Sequence, residues 1–399
     1  MDTTINSIAD KEKRERLFAE TKPLPPVGFV VGGEYESALG VRARAMAAKL
    51  CQSYNIQIAY RSRHRLISIL KIFSFLLRVR PMAVYVFDIS YSGVVASCLY
   101  KFVFRNCLII ETGDAIVELV RSMGNRGRFG IWLTQVLETV AFRSADRIVV
   151  RGTFYKEWLR QRGIEADVIQ DGVDADSFAA GDGRDLRKHY DLEGVITVGL
   201  VGSSIWSEKL QMCYGWELVE TIRLLHDRPV KGIMIGSGSG IPHLEARCRE
   251  YGIEEKILFL GYVAYEQLPS HLRLIDICLS TQTSDVVGQV RTTGKLPLYL
   301  AAGRYILASN VGEAKLVLDQ EMLVEYEGVR DQEYPLKLKE RIERILAEPE
   351  MLKRSTHNVV VAKENFDYSI LAARMGKVIQ TAVTRRATKM QVSLNNRAG

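Results

Sequence analysis

Short β-branched runs recur along this chain, spaced so that one helix fits between each pair, and that alternation restricts its fold more than any other feature. The first series is VGFVVG (27–32), NIQIAY (55–60), AVYVF (83–87), CLIIE (107–111), RIVV (147–150) and ADVIQ (166–170). The second is ITVGLVG (196–202), VKGIMIG (230–236), KILFLG (256–261), IDICLS (275–280) and YILAS (305–309). Helix-length segments such as 40–52, 130–143, 153–162, 215–226 and 241–251 lie between them. Strands alternating with helices form βαβ units and parallel sheets. Continuously apolar strands suit sheets covered on both faces. The expected fold class is α/β, with two Rossmann-like domains facing each other across a cleft. They join in the Gly- and Asp-rich stretch DGVDADSFAAGDGRDLRKHYDLEG (171–194).

Composition places the chain among ordinary globular proteins, with 47% hydrophobic and 25% charged residues. A disordered chain, a collagen-like chain and a small disulfide scaffold are excluded. Six cysteines, at 51, 98, 107, 213, 248 and 278, form no CxxC pair, so no zinc or thioredoxin-like site is expected. Their sparseness fits a reducing compartment. The opening MDTTINSIADKEKRERLF has no apolar core and no cleavage site. It reads as part of a charged, mobile leader over 1–22, not as a signal peptide. The apolar stretch from Pro81 to Tyr100 is interrupted by Asp88, Ser90 and Ser92. It reads as a strand followed by a helix, because a membrane span needs about 20 predominantly apolar residues. Charge is uneven: residues 1–170 carry 25 basic and 16 acidic side chains, and residues 171–399 carry 29 and 31. A basic half suits anionic lipid, phosphorylated substrates or nucleic acid. Nucleic acid is not an expected partner, because no RNP, KH or helix-turn-helix signature is present.

Three glycine-bearing turns follow expected strands. They carry Gly32, Gly33 and Gly40; Gly202 with Ser203 and Ser204; and Gly236, Gly238 and Gly240. Glycine lets backbone approach a ligand, and a helix N-terminus offers unpaired N–H groups to an anion. A plain βα turn uses the same residues, so both readings stand for any one loop. In VGQVRTTGKLPLYLAAG (287–303), Arg291, Thr292, Thr293, Gly294 and Lys295 run directly into a helix-like stretch. Two cations and two hydroxyls at a helix start make a diphosphate cradle or a solvated cap. The spacing is not that of a Walker A loop.

On these residues the chain resembles the family 4 (group 1) retaining glycosyltransferases of the GT-B fold, over roughly residues 25–380. The most specific piece is ADRIVVRGTFYKEWLRQRGIEADVIQDGVDADSF (145–178), ending in the turn Asp171, Gly172, Val173, Asp174 and then Phe178. FLGYV, EQLPSHLRLIDICLS and KLPLYLAAGRYILAS continue the match. The resemblance implies transfer of a sugar from a nucleotide-diphosphate donor to a glycan or lipid-linked acceptor. It also implies retention at the anomeric carbon and a place in cell-surface polysaccharide or glycoconjugate synthesis. The donor would lie mainly on the second domain and the acceptor on the first. No cofactor and no metal are implied, because protein cations and helix dipoles stabilise the leaving diphosphate.

Carried over residue by residue, Lys209 fits the family's diphosphate lysine. Ser203 stands where an arginine often follows the second-domain glycine, and Arg291 or Lys295 replaces it. Gly202, Ser203, Gly236 and Gly238 would line the donor pocket, with Thr292, Thr293 and Gly294 beside the two cations. Gly33 would border the reacting centre. The family's paired glutamates are missing: aligned on Tyr299-Leu300-Ala301, they fall at Val290 and Leu298. The second normally holds the ribose hydroxyls. The resulting layout is a first domain over 23–178, a linker over 179–194 and a second domain over 195–366. A helix over 367–383 crosses back, and a frayed tail occupies 384–399.

Glu111 and Asp114 follow a strand in CLIIETGDAIVELV. Asp114 would bind an acceptor hydroxyl or the donor sugar, or serve as a helix N-cap. Glu34 reaches the cleft or is a loop carboxylate, and Trp206 stacks near the donor or simply packs. No His/Cys/carboxylate cluster has metal spacing, and no G-x-S-x-G elbow is present. Segment 61–81 reads as an amphipathic helix in which Ser68, Lys71, Ser74 and Arg78 form a polar, partly cationic stripe. It rests on anionic lipid or packs on the first sheet. The expected location is the cytoplasm, at the inner face of the cell membrane under the lipid reading. The alternative function is a nonenzymatic GT-B-like binding or partner subunit without the glutamate pair. A GT-B-fold epimerase would need a suitably placed histidine or paired carboxylates, which are missing.

Overall fold

The structure, a computed structural model, describes residues 23–398 apart from position 125, with side chains as far as Thr388. The leader expected over 1–22 lies outside the described residues. Two six-stranded sheets form. The first contains β1 (Pro26–Val31), β2 (Asn55–Tyr60), β3 (Ala83–Phe87), β4 (Cys107–Thr112), β5 (Arg147–Val150) and β6 (Asp167–Val168), in the order β2-β1-β3-β4-β5-β6. The second contains β7 (Ile196–Val201), β8 (Val230–Ile235), β9 (Ile257–Gly261), β10 (Ile277–Ser280), β11 (Tyr305–Ser309) and β12 (Leu323–Val324), in the order β12-β11-β10-β7-β8-β9. Every neighbouring pair is parallel. All eleven expected strands are present. The twelfth, β12, is a two-residue edge strand, too short to leave a sequence pattern.

In the first domain the helices are α1 (Ala38–Leu50), α2 (Arg65–Val79), α3 (Tyr91–Phe104), α4 (Ile116–Met123), α5 (Arg128–Ser144) and α6 (Thr153–Arg160). In the second they include α7 (Trp216–Leu224), α8 (Ile241–Tyr251) and α9 (Lys295–Ala301). The last helix, α10 (Tyr368–Ala398), returns to the first domain. Its Leu371, Met375 and Ile379 share a core with Met46 and Leu50 of α1 and with Phe29 and Tyr85 of the sheet. The spacing of four residues puts those three side chains on one helix face. The opposite face of the sheet is covered by α2, α3 and α5. The stretch from Pro81 to Tyr100 resolves into β3 and the start of α3. Among the described residues no helix is long and apolar enough to cross a membrane.

The chain leaves the first domain earlier than expected. Val173, Ala175, Phe178 and Leu192 all lie in the second core. The expected linker over 179–194 is therefore packed surface of the second domain, anchored by Phe178 before it and Leu192 within it. The two crossings run side by side: the Val173 N–H donates to the Phe366 carbonyl at 3.0 Å, and the Tyr368 N–H donates to the Val173 carbonyl at 3.1 Å. Helix α10 continues through the expected frayed tail, where neither Gly nor Pro precedes Gly399 to stop it.

Both strand orders reverse direction once. In the first sheet the reversal lies between β1 and β3, in the second between β7 and β10. At such a point the connecting loops part and leave a crevice at the carboxyl ends of the strands, where α/β proteins bind ligands. Gly32 and Gly33 follow β1, and Gly202 and Ser203 follow β7, so both expected loops begin at a crevice.

Candidate functional site

A cavity of about 380 Å³ opens between the two domains. Its second-domain wall comes from Gly202 and Ser203 after β7, Gly236 and Ser237 after β8, and Gly294 and Lys295 at the start of α9. Its first-domain wall includes Glu36, Val41 and Arg42 at and before α1, and Asp171. A larger hollow of about 640 Å³ is lined wholly by first-domain residues between 115 and 165, away from all the glycine loops.

The second-domain wall is built from backbone. Gly236 has φ +139°, and a Cβ there would stand 1.9 Å from the Gly202 carbonyl oxygen. Glycine is needed so that the two loops can touch. Around that contact, the Gly202 N–H donates to Ile235, the Gly236 N–H to Gly261 and the Ser204 N–H to Ser237. Among the described residues, no group accepts from the N–H of Ser203 or Ser237. Both residues line the cavity together with a lysine. Lys295 is half-buried, with Nζ 3.4 Å from the centre of the Tyr214 ring, a cation–π contact. Burial pushes its ammonium down from the usual lysine value, and fully buried Glu217 partly offsets that. One Glu217 oxygen accepts from the Gly215 N–H at 3.1 Å, while the other has no partner among the described residues.

The first-domain end is built from side-chain charges. Arg42 forks onto Glu111 at 3.0 and 3.3 Å and also donates to the Ile169 and Gln170 carbonyls. Tyr85 donates to Glu111 at 2.6 Å, and Arg151 reaches the same carboxylate at 3.1 Å. Burial raises the Glu111 carboxyl, but Arg42 and Arg151 outweigh it and hold the group below its usual value. Arg151 also faces Asp171 at 3.5 Å. Arg42 and Arg151 escaped the sequence reading, although both left signals. Arg42 shares the i, i+4, i+8 spacing of Met46 and Leu50 on the buried face of α1, where a cation requires a partner. Arg151 follows β5 directly, at the carboxyl edge of the sheet.

The expected site residues separate into groups. Gly202, Ser203, Gly236, Gly294 and Lys295 meet in the cavity. Gly238 does not line it; a Cβ there would stand 2.0 Å from the Ser204 carbonyl oxygen, so this glycine serves loop packing. Arg291 turns to the first domain, where its Nε donates to Asp114 Oδ1 at 2.8 Å. Asp114 is thus an interdomain partner, and it does not cap α4, whose N-cap is Ala115. Thr292 donates to Asp171 Oδ2 at 3.0 Å, and Thr293 lies beside Thr292 near Asp171 and Glu313 in a minor interdomain hollow. Lys209 is exposed, and its Nζ donates to the Ser122 carbonyl at 3.1 Å in the last turn of α4. Gly33 is buried against Ser37, the N-cap of α1, and Glu36 rather than Glu34 lines the cavity. Trp206 stacks on His243 at 3.8 Å. Leu298, at the second missing glutamate, lines the cavity, whereas Val290, at the first, is buried in an interdomain cluster. Among the described residues no three His, Cys, Asp or Glu side chains could hold a metal ion together.

No family model matches the chain. A curated relative, 2-deoxystreptamine glucosyltransferase from Streptomyces kanamyceticus, is 28% identical over 153 residues, covering 37% of each chain. The match therefore spans little more than a third of that relative's length. Among solved structures, sucrose-phosphate synthase from Thermosynechococcus elongatus superposes with a TM-score of 0.72 at 14% identity, covering 90% of this chain and 100% of that one. Anabaena HepE in complex with UDP gives a TM-score of 0.69 at 14% identity, with the same coverage. The chain has the GT-B fold: two facing parallel-sheet domains with a last helix that returns to the first.

Proposed function

We propose that the chain is a glycosyltransferase that takes a sugar from a nucleotide-diphosphate donor. One observation carries the reading: the loops after β7 and β8 and the start of α9 converge on a single interdomain cavity, with unpaired amides and one lysine. A leaving diphosphate needs preorganised positive potential where its charge develops. In this reading the Ser203 and Ser237 amides and the Lys295 ammonium supply it, so that no metal is required. Arg291 and Lys209 hold the domains together around the cavity; opening of the domains would release both cations toward the donor. Asp114 lies at the interface for the same reason and is released with Arg291.

The acceptor is a glycan or a lipid-linked acceptor at the first-domain wall, beside Glu36 and Arg42. Transfer proceeds with retention, in the cytoplasm, toward a cell-surface polysaccharide or glycoconjugate. The relative's name supports a sugar-transfer reaction, and the UDP of HepE supports a nucleotide in such a cleft. The test is slow hydrolysis of UDP-, GDP-, ADP- and TDP-sugars, with Lys295→Met as comparator and the anomer of the released sugar read by NMR. Release of the sugar in its original anomeric configuration, lost in Lys295→Met, supports the proposal. Absence of turnover with every donor, while a nucleotide still binds, favours the nonenzymatic alternative. Leu298 and buried Val290 in place of the glutamates motivate that second reading.

A further inference from the structure

The outward faces of α2, α3 and α5 are both apolar and basic, and we infer that they dock on an anionic lipid bilayer. These helices cover one face of the first sheet, and α3 touches both of the others. Their inward residues, such as Ile72, Val94 and Leu137, fill the core. Among the described residues nothing covers their outward side chains. Of the 23 large hydrophobic side chains exposed among the described residues, 14 lie on these three helices. Phe102 is 84% exposed, Leu66 77% and Phe129 73%. On α3, Val95, Leu99 and Phe102 follow helical spacing, so they form a stripe. Beside it on α5, Phe129 stacks on Trp132 at 5.6 Å. An apolar surface of this extent on a monomer marks an interaction site.

Charge identifies the occupant. Segments 61–81, 91–106 and 126–144 carry 11 Lys and Arg against one acid, Glu138. That carboxylate is half-buried and faces the backbone of Ile116 and Val117 at the start of α4. Lys101 pairs with Asp146. The other ten cations are exposed, and none has a carboxylate partner among the described residues. Apolar side chains interspersed with cations suit an interface in which acyl chains meet anionic headgroups. A symmetric contact with a second copy would set two faces of the same sign against each other. Nucleic acid would satisfy the cations and leave the apolar side chains in water. The sequence expectation was one helix with a stripe that included Ser68. In the structure Ser68 is buried, and its Oγ accepts from the Ser62 N–H. The surface belongs to three helices. It stands apart from the transferase reading, because it rests on exposure and charge alone.

The test is flotation of the full chain with phosphatidylcholine vesicles and with vesicles that also contain phosphatidylglycerol. Binding to the anionic vesicles is expected, with a blue shift of tryptophan fluorescence that disappears in Trp132→Tyr. The double variant Phe102→Ser/Trp132→Ser should bind about tenfold or more weakly. Replacing Arg63, Arg65 and Lys71 by Gln should remove the preference for anionic lipid. Both variants change exposed residues, and unchanged melting temperatures confirm that they fold. The inference is overturned if the folded wild type ignores anionic vesicles at low salt. It is equally overturned if binding survives both variants, or is lost on deleting residues 1–22 alone. A concentration-dependent dimer broken by the Phe102/Trp132 variant would assign the face to a second copy. Nucleic-acid binding without vesicle binding would assign it to a polyanion.

Discussion

The carboxyl ends of the two sheets solve opposite problems. At the first, Arg42, Glu111, Arg151, Asp171 and Tyr85 bond mainly to one another. Most of these charges are paired within the fold, although Arg151 Nη2 is buried without a partner among the described residues. At the second, Gly202, Ser203, Gly236 and Ser237 present backbone, with two amides that no group accepts from among the described residues, and with Lys295 at the same cavity. The difference is one of means: the first end pairs its cations with carboxylates, whereas the second offers backbone amides together with Lys295, the arrangement on which the proposed anion site relies.

The comparison can be broken most severely at Glu111. Replacing it with Ala leaves Arg42 and Arg151 without their carboxylate, at a cost of about 3–5 kcal/mol. Denaturant melts measure this, and a loss below about 1 kcal/mol would mean that the network is not closed on itself.

Gly236→Ala comes next. The new Cβ meets the Gly202 carbonyl at 1.9 Å on a backbone with φ +139°. The expected loss is more than about 1 kcal/mol, accompanied by loss of nucleotide binding. Gly294→Ala is the control, because a Cβ there meets nothing within 4 Å and φ is −56°. Its stability should stay within about 0.5 kcal/mol of the wild type.

Lys295 sharpens the contrast through pH. Its folded-state pKa lies below the ordinary lysine value, so between those two values the unfolded chain holds a proton that the folded chain has released. Stability contributed by this group therefore rises with pH through that window. Lys295→Met removes the rise, as melts across the alkaline range would show. Nucleotide affinity should move the other way, falling as the amine deprotonates. A stability profile identical in wild type and variant would contradict the assignment.

The smallest effect is expected at Lys209. Its ammonium is exposed and engages carbonyls at the end of α4. Lys209→Ala should cost no more than about 1 kcal/mol, the scale of a charge at a helix C-terminus. Its effect on nucleotide affinity should be smaller than that of Lys295→Met, which binding titrations would compare.

The sheets were legible because most of their strands are continuously apolar and buried, as in β3 and β11, a pattern that needs no partner to be read. The β7 and β8 loops were legible for a related reason: a glycine after a parallel strand marks either a turn or a ligand, and here Gly202 and Gly236 turn the chain and line the cavity. Arg291 and Asp114 show the limit. Each was rightly placed at a strand or helix end, but only the fold brings them to 2.8 Å from each other. Gly238 looked identical to Gly236, and the loop facing it decides that it packs against Ser204. Buried Arg42 was hidden because an exposed and a buried arginine look alike until the helix phase is weighed. The domain join was misplaced because the turn-rich surface of 171–194 masks its anchors, Phe178 and Leu192.

Calorimetric titration of UDP, GDP, ADP and TDP into the wild type, Gly236→Ala and Lys295→Met tests the central claim most directly. At least one nucleotide should bind the wild type, about tenfold or more weakly to Lys295→Met and undetectably to Gly236→Ala. If none binds, or if binding is unchanged in both variants, the second-sheet cavity is not the diphosphate site.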